Sequence, residues 1–146
     1  MCIRDRPERG DIVVFLEGES LSGFFTKLKI TYEDFYRRFT TQTRDNRLIK
    51  RVVGLPGDIL EIKDREVYID YLLLNEGYTK GETFAYRAEG KITVPEGYVF
   101  VMGDNREHSN DSRSFGFVEL NSIEGKAVFR YWPFKRSIVF EYSYFD

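Results

Sequence analysis

A lysine lies in the middle of an apolar stretch that is typical of a β-strand. In "LIKRVVGLPGD", residues 48–58, Lys50 follows two aliphatic residues, is followed by Arg51 and two valines, and precedes a Pro-Gly turn. Side chains alternate between the two faces of a strand, so Lys50 shares one face with Leu48 and Val52. Such a lysine either extends its amine to water or, when it is desolvated and neutral, can act as a general base. Alternation alone does not decide which face is buried.

A polar segment further along the chain could supply partners for such a lysine. The segment "GDNREHSNDSR", residues 103–113, consists of polar residues and glycine. These residue types favour turns, so a solvated loop would account for it, but loops of this length in compact domains are often functional. A serine hydroxyl beside a desolvated lysine can orient the amine, and Ser109 is the candidate. Asp111 and Arg113 could pair and hold the loop rigid.

Two other kinds of site fit this segment less well. A calcium loop needs alternating carboxylates, a central glycine and a late glutamate, and the acidic residues of this segment do not follow that spacing. A Ser-His-Asp triad could use Ser109 and His108, the only histidine. Adjacent side chains in extended backbone rarely face each other, however, and a triad is defined by its geometry. We interpret His108 as a loop residue that makes a hydrogen bond.

Composition and length indicate one globular domain. The 146 residues suffice for a single core. Lys and Arg number 22 against 24 Asp and Glu, and no basic stripe with interleaved aromatics stands out, so a nucleic-acid partner is not indicated. No apolar run reaches the roughly 20 residues that cross a bilayer, and no secretory leader is recognisable. No metal or organic cofactor is implied.

Short strands dominate the predicted secondary structure. Segments with strand composition are 11–16, 48–53, 59–63, 66–70, 72–74, 91–94, 98–102, 126–132 and 138–144. Pro56-Gly57 predicts a type II turn, and Asp64-Arg65 predicts a tight turn between two strands. Asp70-Tyr71 lacks the glycine that such a turn favours, so its hairpin should be less well defined. A short helix over 32–39 is expected inside an insertion at about 17–46. The pattern predicts a folded or partly closed antiparallel sheet.

Four segments of the chain, in order, resemble bacterial type I signal peptidase. They are "RGDIVVF" at 9–15, "KRVVGLPGD" at 50–58, "GDNREHSNDSRSFGFV" at 103–118 and "EGKAVFRYWPF" at 124–134. The resemblance implies a membrane-anchored serine endopeptidase that removes signal peptides from exported preproteins through a Ser/Lys dyad. Its fold would be an antiparallel β catalytic domain, placed on the extracytoplasmic side of a bacterial cell membrane.

The resemblance also implies roles for individual residues. Lys50 would be the general base, and Ser109 would orient its amine. The residues that would support the site are Asp104, Arg106, Asp111 and Arg113. Substrates would be preproteins with small residues just before the cut, of the A-x-A kind. The many aromatic residues would place an exposed surface against the membrane.

The chain departs from the family in one respect that matters for catalysis. The family's nucleophile is the serine of an S-M-x-P motif ahead of the "RGD" strand, and no Ser-Met pair occurs in the 146 residues. Residues 1–6, "MCIRDR", resemble a translated sequencing-adaptor scar, so residues 7–146 are interpreted as an N-terminally truncated catalytic domain. We therefore expect this chain to be inactive by itself.

Two alternatives remain open at this point. One is a related processing peptidase that serves organelles, pilus assembly or conjugation, which its cleavage specificity would distinguish. The other is a non-catalytic β module that binds extended peptides along a sheet edge. In such a module a buried Lys50 would have no nucleophilic serine from which to remove a proton.

Overall fold

The computed structural model describes residues 6–16, 47–127, 129–130 and 138–139. These residues form a mostly β structure with antiparallel sheets, which confirms the predicted fold class. The strands are β1 (Ile12–Leu16), β2 (Arg47–Gly54), β3 (Ile59–Lys63), β4 (Glu66–Ile69), β5 (Leu72–Leu73), β6 (Lys91–Thr93), β7 (Tyr98–Met102), β8 (Val118–Glu119), β9 (Ile123–Lys126), β10 (Phe129–Arg130) and β11 (Ile138–Val139). A one-turn helix, α1, spans Ser112–Phe115, and 3₁₀ turns span Arg106–His108 and Leu120–Ser122. The expected insertion at 17–46 with its helix lies outside the described residues, as do residues 1–5.

A five-stranded antiparallel sheet carries β2 at its centre. Its strand order among the described residues is β8-β7-β2-β1-β9. Val13 of β1 pairs with Lys50 of β2, and Arg51 of β2 pairs with Met102 of β7. The predicted lysine therefore lies in an interior strand with a neighbour on each side, rather than at a sheet edge.

A second antiparallel sheet, of order β5-β4-β3-β6, is built from short hairpins. Asp64 and Arg65 both have positive φ, 52° and 66°, as the type I′ turn of a two-residue hairpin requires. Asp70 and Tyr71 adopt the same kind of conformation, with φ of 50° and 70°. This second hairpin forms in register although it lacks the favoured glycine, with Ile69 opposite Leu72.

The Pro-Gly turn after β2 has the predicted geometry. The N–H of Asp58 donates to the carbonyl of Leu55 at 3.1 Å, and Gly57 has a φ of 90°, as a type II turn requires. The Asp58 carboxylate accepts a 2.6 Å hydrogen bond from the N–H of Leu55 and a 2.8 Å bond from Arg9. The turn is thus closed on itself and tied to the segment that precedes β1.

Two apolar clusters flank the end of β2. Val52 and Val53 are successive residues that point to opposite faces, and both are fully buried. The first cluster contains Val13, Phe15, Val52, Val99, Val101 and Val118. The second contains Val53, Leu60, Ile62, Val67, Ile69, Ala88, Val94, Phe100 and Met102. Each fully buried aliphatic side chain stabilises the fold by roughly 1.5–3 kcal/mol, so β2 is held from both sides.

The strand expected at 126–132 lies only partly within the described residues. There it is divided between β9, which begins earlier at Ile123 and ends at Lys126, and β10, which pairs with β11. Gly125 and Lys126 of β9 pair with β1, and a register shift interrupts this pairing between Val14 and Phe15. Because backbone pairing rather than side-chain pattern defines β9, alternation alone did not locate it. Helix α1 and strand β8 were not predicted, since each is too short to show a period.

Candidate active site

The side chain of Lys50 emerges on the face of the first apolar cluster. Directly paired residues of antiparallel strands point to the same face, so Lys50 shares its face with Val13, which is fully buried. Val52, two residues along β2, lies on this face too and is also fully buried. On the opposite face the neighbouring Ile49 is 62% exposed. The sequence pattern did not decide whether the face that carries Lys50 is buried. In the structure, Lys50 is half-buried and borders the core on the face of the first cluster.

Gly103 marks the point where the polar segment leaves the sheet beside this lysine. The pair of Arg51 with Met102 ends the ladder of β2 and β7, and the same register continued by one residue puts Gly103 opposite Lys50. A Cβ atom on Gly103 would lie 2.1 Å from Ser109 Oγ and 2.5 Å from Ser109 Cβ. The Ser109 side chain thus fills the space that a side chain on Gly103 would need. Opposite Cβ positions are about 5 Å apart, so the Ser109 hydroxyl lies within reach of the lysine side chain.

The Ser109 hydroxyl is buried. Its Oγ atom lies near the Asp111 carboxylate, whose pKa it helps to lower, but it makes no hydrogen bond of ordinary geometry among the described residues. A buried hydroxyl without a hydrogen bond costs about 1–3 kcal/mol, so a hydrogen bond between it and a nearby group would stabilise the structure. The structure brings Ser109 and Lys50 to the same face of the sheet without a hydrogen bond between them.

A buried ion pair fixes the far end of the segment. Asp111 and Arg113 are both 0% exposed. Arg113 Nε donates to Asp111 Oδ1 at 2.9 Å, and Nη2 donates to Oδ2 at 2.8 Å, which is a bidentate pair. Asp111 Oδ2 also accepts the N–H of Gly103 at 3.0 Å. The pair therefore holds the glycine against which Ser109 packs.

The environment of Asp111 keeps it ionised. Burial by itself would raise the pKa of this carboxyl, but the hydrogen bonds and charge of Arg113, the N–H of Gly103 and the nearby Ser109 hydroxyl outweigh burial. The pKa of Asp111 consequently lies below its ordinary value. The acid also caps helix α1 by accepting the N–H of Arg113 at 3.2 Å. The Asp111 carboxylate thus connects the start of helix α1, the Arg113 side chain and the end of strand β7 by hydrogen bonds.

Arg106 holds the middle of the segment against the second sheet. It is 1% exposed, and its Nη1 donates to Glu76 Oε2 and to Thr83 Oγ1, each at 2.8 Å. Its Nη2 contacts the other oxygen of Glu76, and its Nε donates to the carbonyl of Gly103 at 3.2 Å. The carbonyl of Arg106 in turn accepts Nη2 of Arg113 at 2.7 Å. The alternative of a solvated loop is wrong, because three of its charged side chains are buried and paired.

Asp104 pairs with the residue next to the lysine. Arg51 Nε and Nη2 donate to its two carboxylate oxygens at 2.8 and 2.7 Å. Arg51 also donates to the carbonyl of Gly10 at 2.8 Å and lies 4.0 Å from the centre of the Tyr78 ring. These contacts lie on the face of β2 opposite Lys50. They fix the β2 backbone at the position from which the lysine projects.

Sequence reasoning missed several residues that build this arrangement. Arg51 directly follows Lys50 and could have been suspected from the pair of basic residues. Glu76 and Thr83 carry no local signal, because they reach Arg106 through the fold. His108 ends a 3₁₀ turn and is exposed, whereas the neighbouring Ser109 hydroxyl is buried. The two are therefore not arranged as a Ser-His pair.

Two features are absent from the described ranges. No group of three His, Cys, Asp or Glu side chains there is arranged to hold a metal ion. None of the helices in that part of the chain has the length and apolar character to cross a bilayer.

Known proteins share both the sequence and the fold. Residues 3–132 match the family described as signal peptidase, peptidase S26. Signal peptidase I of Bacillus caldolyticus is 43% identical over 100 residues, which cover 60% of this chain and 55% of that protein. Probable signal peptidase I-2 of Synechocystis sp. is 36% identical over 134 residues, covering 92% and 52%. The crystal structure of a signal peptidase I from Enterococcus faecalis V583 is similar with a TM-score of 0.56 and 31% identity, covering 84% of this chain and 97% of that one.

The matches cover most of this chain but only part of the curated relatives. The family match covers most of the 146 residues. The chain spans about half the length of the two curated relatives. The segments that match in sequence include those that build the Lys50 face and the buried ion pair. This chain belongs to the signal peptidase family, peptidase S26.

Proposed function

We propose that the protein to which this chain belongs is a serine endopeptidase that removes signal peptides from exported preproteins, with Lys50 as its general base. The observation that carries the proposal is the buried hydroxyl of Ser109 on the face of Lys50. A hydroxyl placed there can accept a hydrogen bond from the lysine amine and so fix its direction. An amine that is oriented in an apolar setting suits proton transfer better than one extended into water.

The proposed reaction uses Lys50 twice. The neutral amine removes the proton from the nucleophilic serine hydroxyl as that oxygen attacks the carbonyl carbon of the scissile peptide bond. The ammonium then gives the proton to the leaving amine as the peptide bond breaks. In the second half, Lys50 removes a proton from water as the water attacks the acyl-enzyme, and the proton returns to the serine. Lys50 must be neutral at the start of each half of the reaction.

The supporting residues would act through the position of Ser109 and Lys50. The pair of Asp111 and Arg113 fixes Gly103, and therefore the wall on which Ser109 rests. Arg106 anchors the carbonyl of Gly103, and Asp104 anchors Arg51 beside the lysine. None of the four has to touch the substrate in this proposal.

The nucleophile would come from a segment with the S-M-x-P motif, which the 146 residues do not contain. We therefore propose that this chain alone does not cleave preproteins. The substrates would have small residues before the cut, as in A-x-A, and the enzyme would work at the extracytoplasmic surface of a bacterial membrane. The relatives named signal peptidase I support this substrate class.

Ser109 offers a test of the proposal in the product of the complete gene. Ser109→Ala should lower kcat for preprotein cleavage about 100-fold, because the amine loses the hydroxyl that orients it. Ser114→Ala, in the adjoining helix α1, should leave kcat nearly unchanged and serves as the control. Equal activity of Ser109→Ala and the wild type would contradict the orienting role. Binding of extended peptides with no cleavage by the complete product would favour the non-catalytic module instead.

A further inference from the structure

Tyr86 adopts a backbone conformation that tyrosine rarely takes. Its φ is 52°, in the left-handed region where a Cβ atom is crowded. Among the described residues, the other non-glycine residues with positive φ are Asp64, Arg65, Asp70 and Tyr71. Those four form the two-residue hairpin turns, which require that conformation. Tyr86 instead lies in a turn closed by the Ala88 N–H to the Ala85 carbonyl, at 2.9 Å, outside a hairpin.

The turn that carries Tyr86 surrounds the arginine of the buried ion pair. The Tyr86 ring centre lies 5.2 Å from the guanidinium carbon of Arg113. The N–H of Arg87 donates to the Arg113 carbonyl at 3.1 Å, and Arg113 Nη1 donates to the Phe84 carbonyl at 3.2 Å. Tyr86 is 49% exposed, whereas Arg113 is 0% exposed. The ring therefore lies between the guanidinium and the solvent.

Exclusion of water matters for this ion pair. Attraction between unit charges is several times stronger in a protein interior than in water. Water that entered beside Arg113 would compete for the Asp111 oxygens, one of which also holds the N–H of Gly103. Gly103 is the residue against which Ser109 packs. A ring that covers Arg113 thus protects the geometry of the Lys50 face from a distance.

We propose that Tyr86 is a positioning residue, whose ring shields the Arg113 guanidinium and so keeps Gly103 and Ser109 in place beside Lys50. The consequence for catalysis rests on the function proposed above. The strained backbone of Tyr86 places its ring over a fully buried cation, Arg113, whereas the equally strained Tyr71 lies over the exposed Lys91.

Hydrogen exchange of this chain tests the shielding directly. Tyr86→Gly removes the ring and relieves the strained backbone, while Tyr86→Phe keeps the ring. Exchange of the Arg113 Nε–H and of the Gly103 amide, measured by NMR, should be about tenfold faster in Tyr86→Gly and unchanged in Tyr86→Phe. Tyr86→Asn, which tolerates the same backbone conformation, provides a second ring-free variant and should match Tyr86→Gly.

Tyr71→Gly is the matched control. Tyr71 also has positive φ and also lies over a cation, since Lys91 Nζ is 4.6 Å from its ring centre. It lies in the β4–β5 hairpin of the second sheet, so its replacement should leave exchange at Arg113 and Gly103 unchanged. Unchanged exchange in both ring-free variants at Tyr86 would overturn the proposal. So would faster exchange in Tyr86→Phe, or an equal acceleration in Tyr71→Gly.

Cleavage by the complete gene product separates this inference from the proposed function. Tyr86→Gly should lower kcat/KM for a preprotein about tenfold, and Tyr86→Phe should restore it. Faster exchange with unchanged kcat/KM would overturn the positioning role of Tyr86. If the wild-type product cleaves no preprotein, the proposed function fails, whereas the exchange rates still decide whether Tyr86 shields Arg113.

Discussion

The hydroxyl oxygen of Ser109 lies 2.1 Å from the position that a Cβ atom on Gly103 would occupy. Glycine is thus favoured at position 103 because it has no side chain, which leaves room for Ser109, and not because of its backbone freedom. Its φ lies outside the left-handed range, and its N–H and carbonyl are both bonded within the segment. The smallest residue and the buried hydroxyl together form the surface that faces the Lys50 side of the sheet.

Replacement of Gly103 by alanine should therefore disturb the site. Rotation about the Cα–Cβ bond can move Ser109 Oγ away, but Ser109 Cβ would still lie 2.5 Å from the new methyl group, so the loop itself must move. We expect Gly103→Ala to lower the free energy of unfolding by about 1–3 kcal/mol. Chemical denaturation measures this change. Preprotein cleavage by the complete gene product should fall as well.

Gly77→Ala is the control for this substitution. A Cβ atom on Gly77 would meet nothing within 4 Å, and its φ is not in the left-handed range. Its free energy of unfolding should stay within about 0.5 kcal/mol of the wild type. Equal effects of the two substitutions would contradict the close packing of Ser109 on Gly103.

The buried Asp111 predicts a pH dependence of stability. Its pKa in the folded state is below the ordinary value of 3.8, so ionisation favours folding. The stability that this group contributes is present above pH 3.8 and is lost as the pH falls through the lowered pKa. Asp111→Asn removes the charge that Arg113 needs and should cost about 3–5 kcal/mol near pH 7.

Denaturation of the wild type and Asp111→Asn at several pH values checks this sign. The difference between them should be largest at neutral pH and should shrink in the acid range. Asp64→Asn serves as the control, since Asp64 is exposed in a turn. A difference that grows as the pH falls would mean that Asp111 is protonated in the folded protein.

Lys50 should limit the stability of this chain. Its side chain is half-buried and shares a face of the sheet with the buried Val13 and Val52. Lys50→Met keeps most of the length of the side chain and removes any cost of desolvating an amine, so the free energy of unfolding should rise by about 1 kcal/mol. The expected increase in Tm is about 3 °C. Lys63→Met, at an exposed lysine, should change Tm little. A clear fall in the Tm of Lys50→Met would argue against a desolvated amine.

The β4–β5 hairpin can be improved by a glycine. Tyr71 lies at the second central position of a type I′ turn with a φ of 70°, where Asp-Gly is the favoured pair. Tyr71→Gly relieves a strain of about 1–2 kcal/mol. It loses the contact with Lys91, which at an exposed site contributes about 0.5–1 kcal/mol. We expect a small net gain in Tm by thermal denaturation; a decrease would show that the contact outweighs the strain.

The sequence predicts the parts of this molecule that rest on local pattern. Strands β3 and β7 have their predicted bounds, and the turns at Pro56-Gly57 and Asp64-Arg65 have the conformations that their residues favour. Local pattern could not decide the face of Lys50, because Val52 and Val53 are both buried and so both faces of β2 meet a core.

Long-range partners were beyond the reach of sequence pattern. Glu76 and Thr83 reach Arg106 only through the folding of the second sheet against the polar segment. The contact of Tyr86 with Arg113 joins residues that are 27 positions apart, counted from 86 to 113. The resemblance to a known family located Lys50 and Ser109, whereas the structure supplied the reason that Gly103 lies between them.

The central claim is that Lys50 is the base of a serine peptidase, and cleavage of a preprotein by the product of the complete gene tests it most directly. The substrate should carry an A-x-A site, and the wild type is compared with Lys50→Met at equal concentration of folded protein. The account predicts cleavage by the wild type and a loss of at least about 100-fold in Lys50→Met, with Tm maintained. Cleavage by Lys50→Met at the wild-type rate would contradict it.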